Sequence, residues 1–103
     1  MKDIKLEKIK DRIVANYRPE KIILFGSRAR RNWFQDSDYD LLILKNTKKP
    51  PQYRIFDLIP YLPKDVGVDV VIYTPEEFQR GIQRNWSLIE EVLKEGRVVY
   101  EKI

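Results

Sequence analysis

The chain has 103 residues, carries a formal net charge of +4, and contains neither His nor Cys. Its length fits one domain over residues 1–103, and its 43% hydrophobic and 35% charged composition is typical of a folded globule. The two missing residue types exclude disulfides, imidazole or thiolate catalysis, and metal sites built from His or Cys. Acid–base chemistry must therefore use Asp, Glu, Lys or Tyr, and any metal must be a hard ion held by oxygen, such as Mg²⁺, Mn²⁺ or Ca²⁺.

Targeting and membrane signals are not visible in the sequence. The segment Met1–Lys10 is charged throughout, and no apolar run approaches the ~20 residues that span a bilayer. We therefore expect a cytoplasmic protein with no membrane association. The modest positive charge fits either a slightly basic soluble surface or an affinity for polyphosphate. We do not expect nucleic acid as a partner, because no surface of interleaved aromatic and basic residues is legible.

The first half of the chain predicts two helices and two strands. Asp3 can cap a helix, because the apolar residues after it recur at helical spacing. Two short apolar runs follow, and the first ends at Gly26, as a buried strand entering a turn does. The predicted elements are a helix over Ile4–Tyr17, a strand over Lys21–Phe25, a short helix over Ser27–Arg31, a loop over Asn32–Ser37 and a strand over Asp38–Lys45.

The second half predicts a further strand between helices and an edge strand at the end. Thr74 and Glu77 form a capping box around Pro75, Ser87 and Glu90 repeat the device, and Gly96 fits a left-handed position after the last helix. The order α-β-α-β-α-β-α-α-β predicts an α/β (α+β) fold with a small sheet and flanking helices. The predicted ranges are a helix over Pro51–Ile59, a strand over Gly67–Tyr73, helices from Thr74 to Gln83 and Ser87 to Glu95, and a strand over Arg97–Glu101.

Three aspartates are the candidate metal ligands. Asp38 and Asp40 are two residues apart, so a strand turns both carboxylates to one face, where they repel each other. Either one carboxyl has a raised pKa or a cation lies between them, and a divalent metal is the less costly answer at neutral pH. Asp69 lies inside an apolar strand, which is costly for a charge unless it is paired or bound to metal. If the two strands are neighbours, the three carboxylates can hold two Mg²⁺ ions for phosphoryl or nucleotidyl transfer.

Gly26 and Ser27 are the candidate phosphate-binding residues. A glycine at a strand end permits close backbone approach, and a helix that begins there directs N–H groups towards an anion. Ser27 can bind a phosphate oxygen, and Arg28 or Arg30 can add charge-assisted hydrogen bonds.

Each of these features also has a purely structural reading. A Gly-Ser pair after a strand is commonly a turn, an Asp-x-Asp pair can cap or be solvated, Asp69 can pair with an arginine, and clustered arginines can form a solvated face. The functional interpretation therefore depends on their conjunction. An EF-hand reading that starts at Asp36 fails, because Leu41 and Thr47 stand where Gly and Glu are needed. P-loop and Rossmann glycine motifs are missing from the sequence.

The segment Leu24–Leu44 resembles the signature of the minimal nucleotidyltransferases of the DNA polymerase beta-like superfamily. That signature is a Gly-Ser, a spacer, an Asp-x-Asp that enters an apolar strand, and a distant third Asp in a strand. Here these positions are Gly26-Ser27, Asp38-Tyr39-Asp40 and Asp69, and the resemblance covers nearly the whole chain. It implies a polymerase beta-like core with a mixed sheet that binds a nucleoside triphosphate, usually ATP, with Mg²⁺ or Mn²⁺.

The resemblance also implies a role for each candidate residue. Asp38 and Asp40 would bridge two metal ions. Asp69 would complete the site of the ion that activates the acceptor hydroxyl and would serve as its base. The β- and γ-phosphates would be held by Gly26 and Ser27, with Arg28 or Arg30 assisting.

A partner protein is implied as well. Short members of this family resemble the antitoxin of a pair whose other member is a HEPN-domain protein, and some transfer AMP to a tyrosine of that partner. A chain of this size must have its acceptor bound largely by another chain or by a homo-oligomer. The alternative is a non-catalytic antitoxin that acts by contact. One departure from the family is Arg31, where a Gly is usual, and the loop after it contains Trp33 and Phe34, which can pack, stack on a base or meet a partner.

Overall fold

The computed structural model describes residues 3–30 and 38–103 of the chain. This part of the chain contains four strands, four α-helices and two 3₁₀ helices, and the elements follow the predicted order with 3₁₀ helices in place of the third predicted helix. The elements are α1 (Ile4–Tyr17), β1 (Lys21–Phe25), α2 (Gly26–Arg30), β2 (Tyr39–Leu44), two 3₁₀ turns (Pro51–Asp57 and Ile59–Tyr61), β3 (Val68–Tyr73), α3 (Pro75–Gln83), α4 (Ser87–Glu95) and β4 (Arg97–Glu101).

The four strands form one mixed sheet in the order β3-β2-β1-β4. β1 pairs antiparallel with both β2 and β4, whereas β2 and β3 are parallel. The predicted α/β fold with a small mixed sheet is therefore confirmed, and the predicted edge strand Arg97–Glu101 does lie at an edge. Because β2 is central and its residues are apolar on both sides, it is covered on both faces.

Each face of the sheet has its own apolar core. Leu41 and Ile43 of β2 belong to the cluster that contains the buried side chains of α1, and Leu42 and Leu44 belong to the cluster that contains those of α3 and α4. Full burial of a side chain of this size stabilises a fold by about 1.5–3 kcal/mol. Because alternate side chains of β2 are buried in the two cores, this one strand stabilises the packing of helices on both faces of the sheet.

The predicted start of α1 is confirmed. The Leu6 N–H donates to Oδ1 of Asp3 at 3.0 Å, so Asp3 is the N-cap. The helix ends at Arg18, whose φ of 53° lies in the left-handed region. Pro19 follows and cannot continue the helix.

The capping box that begins α3 is also confirmed, and a buried arginine supports it. The Glu77 N–H donates to Thr74 Oγ1 at 3.1 Å, and the Thr74 N–H donates to Glu77 Oε1 at 2.9 Å. Arg54, from the first 3₁₀ turn, donates to both oxygens of Glu77 at 2.7 and 3.1 Å. Hydrogen bonds from Arg54 to Glu77 hold the pKa of that carboxyl below its ordinary value.

Three local predictions were wrong in detail. The segment from Pro51 is a 3₁₀ helix and not an α-helix, as expected where closely spaced prolines remove backbone donors. Ser87 is the first residue of α4 and not its cap; Trp86 occupies the cap position and makes no side-chain capping bond. Gly96 has an extended backbone, with φ of −69°. Its lack of a Cβ is needed instead because the chain passes close to the carbonyl oxygen of Val92.

Within the described ranges, none of the helices is both long and apolar enough to cross a membrane.

Candidate active site

The sheet brings the predicted aspartates to one end of β2 and β3. The parallel register pairs Asp40 with Asp69, and the antiparallel register pairs Asp40 with Phe25, the residue before Gly26. The neighbouring position of the two strands, on which the metal-site hypothesis depended, is therefore confirmed. Asp40 and Asp69 meet side by side at the point where β1 leads into α2.

Gly26 lies directly against the carboxylate of Asp40. Its φ is +74°, a conformation that side chains with a Cβ rarely adopt. A Cβ built on Gly26 would overlap Asp40 Oδ2. Both the backbone conformation and the available space therefore require glycine, and Ser27 follows, partly exposed, in the first turn of α2.

Asp38 is held beside this pair by the loop that enters β3. The Tyr39 N–H donates to the Gly67 carbonyl at 3.0 Å, which continues the pairing of β2 and β3 by one step. A Cβ on Gly67 would overlap the carboxylate of Asp38. Gly67 thus gives Asp38 the room that Gly26 gives Asp40.

The electrostatics of the site centre on Asp40. Burial raises the pKa of Asp40, and the charges of Asp69 and Asp38, the hydrogen bond with Asp69 and the charge of Glu91 on α4 raise it further. A negative charge at Asp40 is therefore costly unless a cation or a proton offsets it.

The donor set fits Mg²⁺ that is shared with a substrate. Nowhere in residues 3–30 and 38–103 are three acidic side chains arranged so that they alone could hold a metal ion. Mg²⁺ is ordinarily bound by one or two carboxylates together with phosphate oxygens and water. The adjacent Asp40 and Asp69, with Asp38 beside them, match that pattern, since the remaining ligand positions are left to phosphate and water.

The two candidate arginines contact protein groups in this structure. Arg28 is only 5% exposed, its Cζ lies 3.9 Å from the centre of the Tyr39 ring, and its Nη1 lies 3.6 Å from Asp3 Oδ2. Arg30 is exposed, and its Nη1 donates to Glu95 Oε2 on α4 at 2.9 Å. A phosphate-binding role for either arginine stays a prediction, with Arg30 the more accessible of the two.

The comparisons with known proteins decide the family. Residues 7–103 match the polymerase beta nucleotidyltransferase family. The chain belongs to this family. This nucleotidyltransferase is similar to a protein of Methanocaldococcus jannaschii that is named as a candidate protein adenylyltransferase, with 39% identity over 85 residues, which cover 81% of this chain and 80% of the relative.

Solved structures share the fold of this nucleotidyltransferase. A candidate nucleotidyltransferase from Sulfolobus solfataricus superposes with a TM-score of 0.68 at 20% identity, covering 96% of this chain and 80% of that one. A toxin–antitoxin complex with AMP-PNP gives a TM-score of 0.57 at 21% identity, covering 93% and 73%. A mutant of the MntA-HpeT toxin–antitoxin gives 0.53 at 21% identity, covering 99% and 74%. At these identities the likeness establishes the fold.

Sequence reasoning missed some residues around the site of the nucleotidyltransferase. The charge of Glu91 on α4 raises the pKa of Asp40, which no local motif indicates because the two residues are far apart in sequence. The contacts of Asp3 and Tyr39 with Arg28 were also missed, since Asp3 was considered only as a cap. Of the residues noted earlier, Arg31, Trp33 and Phe34 lie outside the described residues.

Proposed function

We propose that this nucleotidyltransferase transfers AMP from ATP to a hydroxyl group of a partner protein, with Mg²⁺ as cofactor. The observation that carries the proposal is the packing of Gly26 against Asp40, with Asp69 in register beside it. This arrangement brings a backbone turn that can receive phosphates next to carboxylates that can receive the metal. The relative named as a candidate protein adenylyltransferase supports the acceptor, and the neighbour with AMP-PNP supports the nucleotide.

The residues of the chain divide the work of the reaction. Asp40 and Asp69, with Asp38, would hold Mg²⁺, which when bound neutralises phosphate charge and lowers the pKa of the acceptor hydroxyl. Gly26 allows the triphosphate to approach the backbone, and Ser27 orients it through its hydroxyl.

The transfer takes place at the α-phosphorus of ATP. The acceptor oxygen forms a bond to the α-phosphorus, the bond from that phosphorus to the β-phosphate oxygen breaks, and pyrophosphate leaves with the electron pair. The proton of the acceptor passes to Asp69, which is exposed and therefore reachable by an incoming hydroxyl.

The partner that we propose is a HEPN-domain protein, on the basis of the motif resemblance. Two solved neighbours are toxin–antitoxin structures, and this agrees with an acceptor carried by a second protein. Among the described residues, β3 is an edge strand of the sheet, and Asp69 lies near its start. A second chain can therefore deliver a hydroxyl at this position.

Label transfer tests the proposal directly. The protein is incubated with ATP labelled at the α-phosphate, Mg²⁺ and the product of the neighbouring gene, and AMP on protein is quantified. We expect Asp40→Asn to lower the rate by about 100-fold or more, because the metal loses a charged ligand. Glu76→Gln, an exposed carboxylate on α3, serves as the matched control and should retain the rate. Equal labelling by wild type and Asp40→Asn would refute the proposal.

A second candidate function is neutralisation by contact, which the two toxin–antitoxin neighbours favour. Asp40→Asn separates it from catalysis. If this variant binds the partner but no longer neutralises it, contact alone is excluded. If it neutralises as well as wild type, contact is the antitoxin function.

A further inference from the structure

A polar cluster connects the N-cap of α1 to both halves of the candidate site. The Tyr39 hydroxyl donates to the carboxylate of Asp3, 3.0 Å from each oxygen. Arg28 lies over the ring of Tyr39 and beside the same carboxylate, with Cζ 3.9 Å from the ring centre and Nη1 3.6 Å from Asp3 Oδ2. We refer to these residues as the Asp3–Arg28–Tyr39 cluster.

The burial of the cluster makes its geometry restrictive. Arg28 is 5% exposed and Tyr39 is 2% exposed. A buried guanidinium is tolerated when an opposite charge and an aromatic face compensate for lost water, and here Asp3 and Tyr39 contribute both. Displacing Asp3 or Tyr39 would remove part of this compensation, so the cluster restrains the positions of its members.

The position of the cluster in the chain gives this constraint a functional meaning. Arg28 lies two residues after Gly26, and Tyr39 lies between Asp38 and Asp40. Tyr39 belongs to the core on the α1 side of the sheet, and the aspartates on either side of it point to the opposite face by strand alternation. The cluster therefore links the candidate phosphate-binding turn to the Asp38–Asp40 segment on the α1 side of the sheet, opposite the face of the carboxylates.

We propose that the Asp3–Arg28–Tyr39 cluster positions the Gly26–Ser27 turn relative to the carboxylates of Asp38 and Asp40. Asp3 and Tyr39 act through these residues and contact no substrate, whereas Arg28 also remains a candidate for the phosphates. Displacement of reacting groups by about 1 Å can lower a rate by about 100-fold, so a fixed turn matters for catalysis. The consequence for catalysis rests on the proposed function, whereas the consequence for the position of the turn does not.

Two conservative variants test the cluster against a matched control. Tyr39→Phe keeps the ring beneath Arg28 and removes the hydroxyl that Asp3 accepts from. Asp3→Asn keeps a helix cap and an acceptor but removes the charge beside Arg28. Glu77→Gln weakens the ion pair with Arg54, in which the shortest nitrogen–oxygen distance is 2.7 Å. Glu77 forms hydrogen bonds with Arg54 and Thr74, and neither of these is a candidate site residue.

The first readout is backbone hydrogen exchange at Gly26–Ala29, which does not require activity. We expect exchange there to accelerate about tenfold in Tyr39→Phe, the effect of losing a hydrogen bond to a charged group. The second readout is Mn²⁺ binding followed by electron paramagnetic resonance, and the third is the rate of AMP transfer. We expect Mn²⁺ affinity to fall severalfold and the rate to fall about tenfold in both variants. Glu77→Gln should change none of the three by more than about twofold.

The outcomes separate this proposal from the proposed function. Unchanged exchange at Gly26–Ala29 in Tyr39→Phe and Asp3→Asn would overturn the positioning role, whatever the activity of wild type. Equal acceleration in Glu77→Gln would also overturn it, because the effect would then reflect general loss of stability. If wild type neither binds Mn²⁺ nor transfers AMP, the proposed function fails, and the exchange result alone decides the role of the cluster.

Discussion

Replacement of Gly26 by alanine is the sharpest test of the site geometry. Alanine at φ of +74° costs about 1–2 kcal/mol, because its Cβ crowds the backbone in the left-handed region. The same Cβ would overlap the carboxylate of Asp40, which must then move by about 1 Å to regain ordinary contact. We therefore expect Gly26→Ala to lower the free energy of unfolding by about 2–3 kcal/mol and AMP transfer by about 100-fold.

Urea unfolding and initial rates of label transfer measure the two effects. Gly96→Ala is the control, because its Cβ would collide with the Val92 carbonyl while its backbone φ of −69° is ordinary. It should lose stability but retain the rate. A double-mutant cycle with Asp40→Ala isolates the overlap, since the strain of the turn remains and the collision disappears.

A Gly26→Ala protein that keeps both its stability and its rate would contradict the close contact between Gly26 and Asp40. A double-mutant cycle in which Gly26→Ala lowers the free energy of unfolding equally with and without the Asp40 carboxylate would contradict that contact as well. That result would mean that the two residues are not in contact.

Three further predictions concern stability. Asp40→Asn should raise Tm by about 3 °C in EDTA, because it removes a carboxylate whose pKa is raised by burial and by neighbouring charge. In thermal scans with Mg²⁺, the ion should stabilise wild type more than this variant. The folded-state pKa of Glu77 is lowered by its bonds with Arg54, so the pair contributes fully above the ordinary value of 4.5 and its contribution is lost as the pH falls through the lower folded pKa. Between about pH 6 and pH 3, wild type should therefore lose more of its free energy of unfolding than Glu77→Gln in urea titrations, and parallel losses would contradict this. Thr74→Ala removes the cap of α3 and should cost about 1 kcal/mol in the same titrations, whereas Thr47→Ala in the loop should cost less.

The sequence was sufficient for the order of the elements and for the choice of Gly26 and Asp40 as candidate residues, because both depend on local signals. Apolar runs and spacing located the strands, and the Gly-Ser and Asp-x-Asp motifs located Gly26 and Asp40. The contribution of Asp69 could be inferred because a charge in an apolar strand needs an explanation. The sequence did not establish whether the strand of Asp69 lies next to β2. The parallel pairing of β2 and β3 shows that it does.

The remaining features depend on contacts between distant segments. Arg28 looked like a residue for phosphate, yet its side chain is buried against Tyr39. The short motif around Arg28 does not indicate that Asp3, distant in sequence, lies beside the Arg28 side chain. Gly96 was misread for a related reason, because a glycine needed for close packing and a glycine needed for a left-handed turn look alike in a sequence.

The double use of Asp3 has a practical consequence for protein engineering. Because this carboxylate both begins α1 and receives the Tyr39 hydroxyl, an affinity tag fused ahead of it would join the chain close to the candidate site. A tag fused after Ile103 would leave from the other end of β1, where the Lys102 N–H donates to the Glu20 carbonyl at 2.9 Å. A tag after Ile103 is therefore preferable to one ahead of Asp3. A lower Mn²⁺ affinity in the protein tagged ahead of Asp3 would indicate that changes at this residue affect the candidate site.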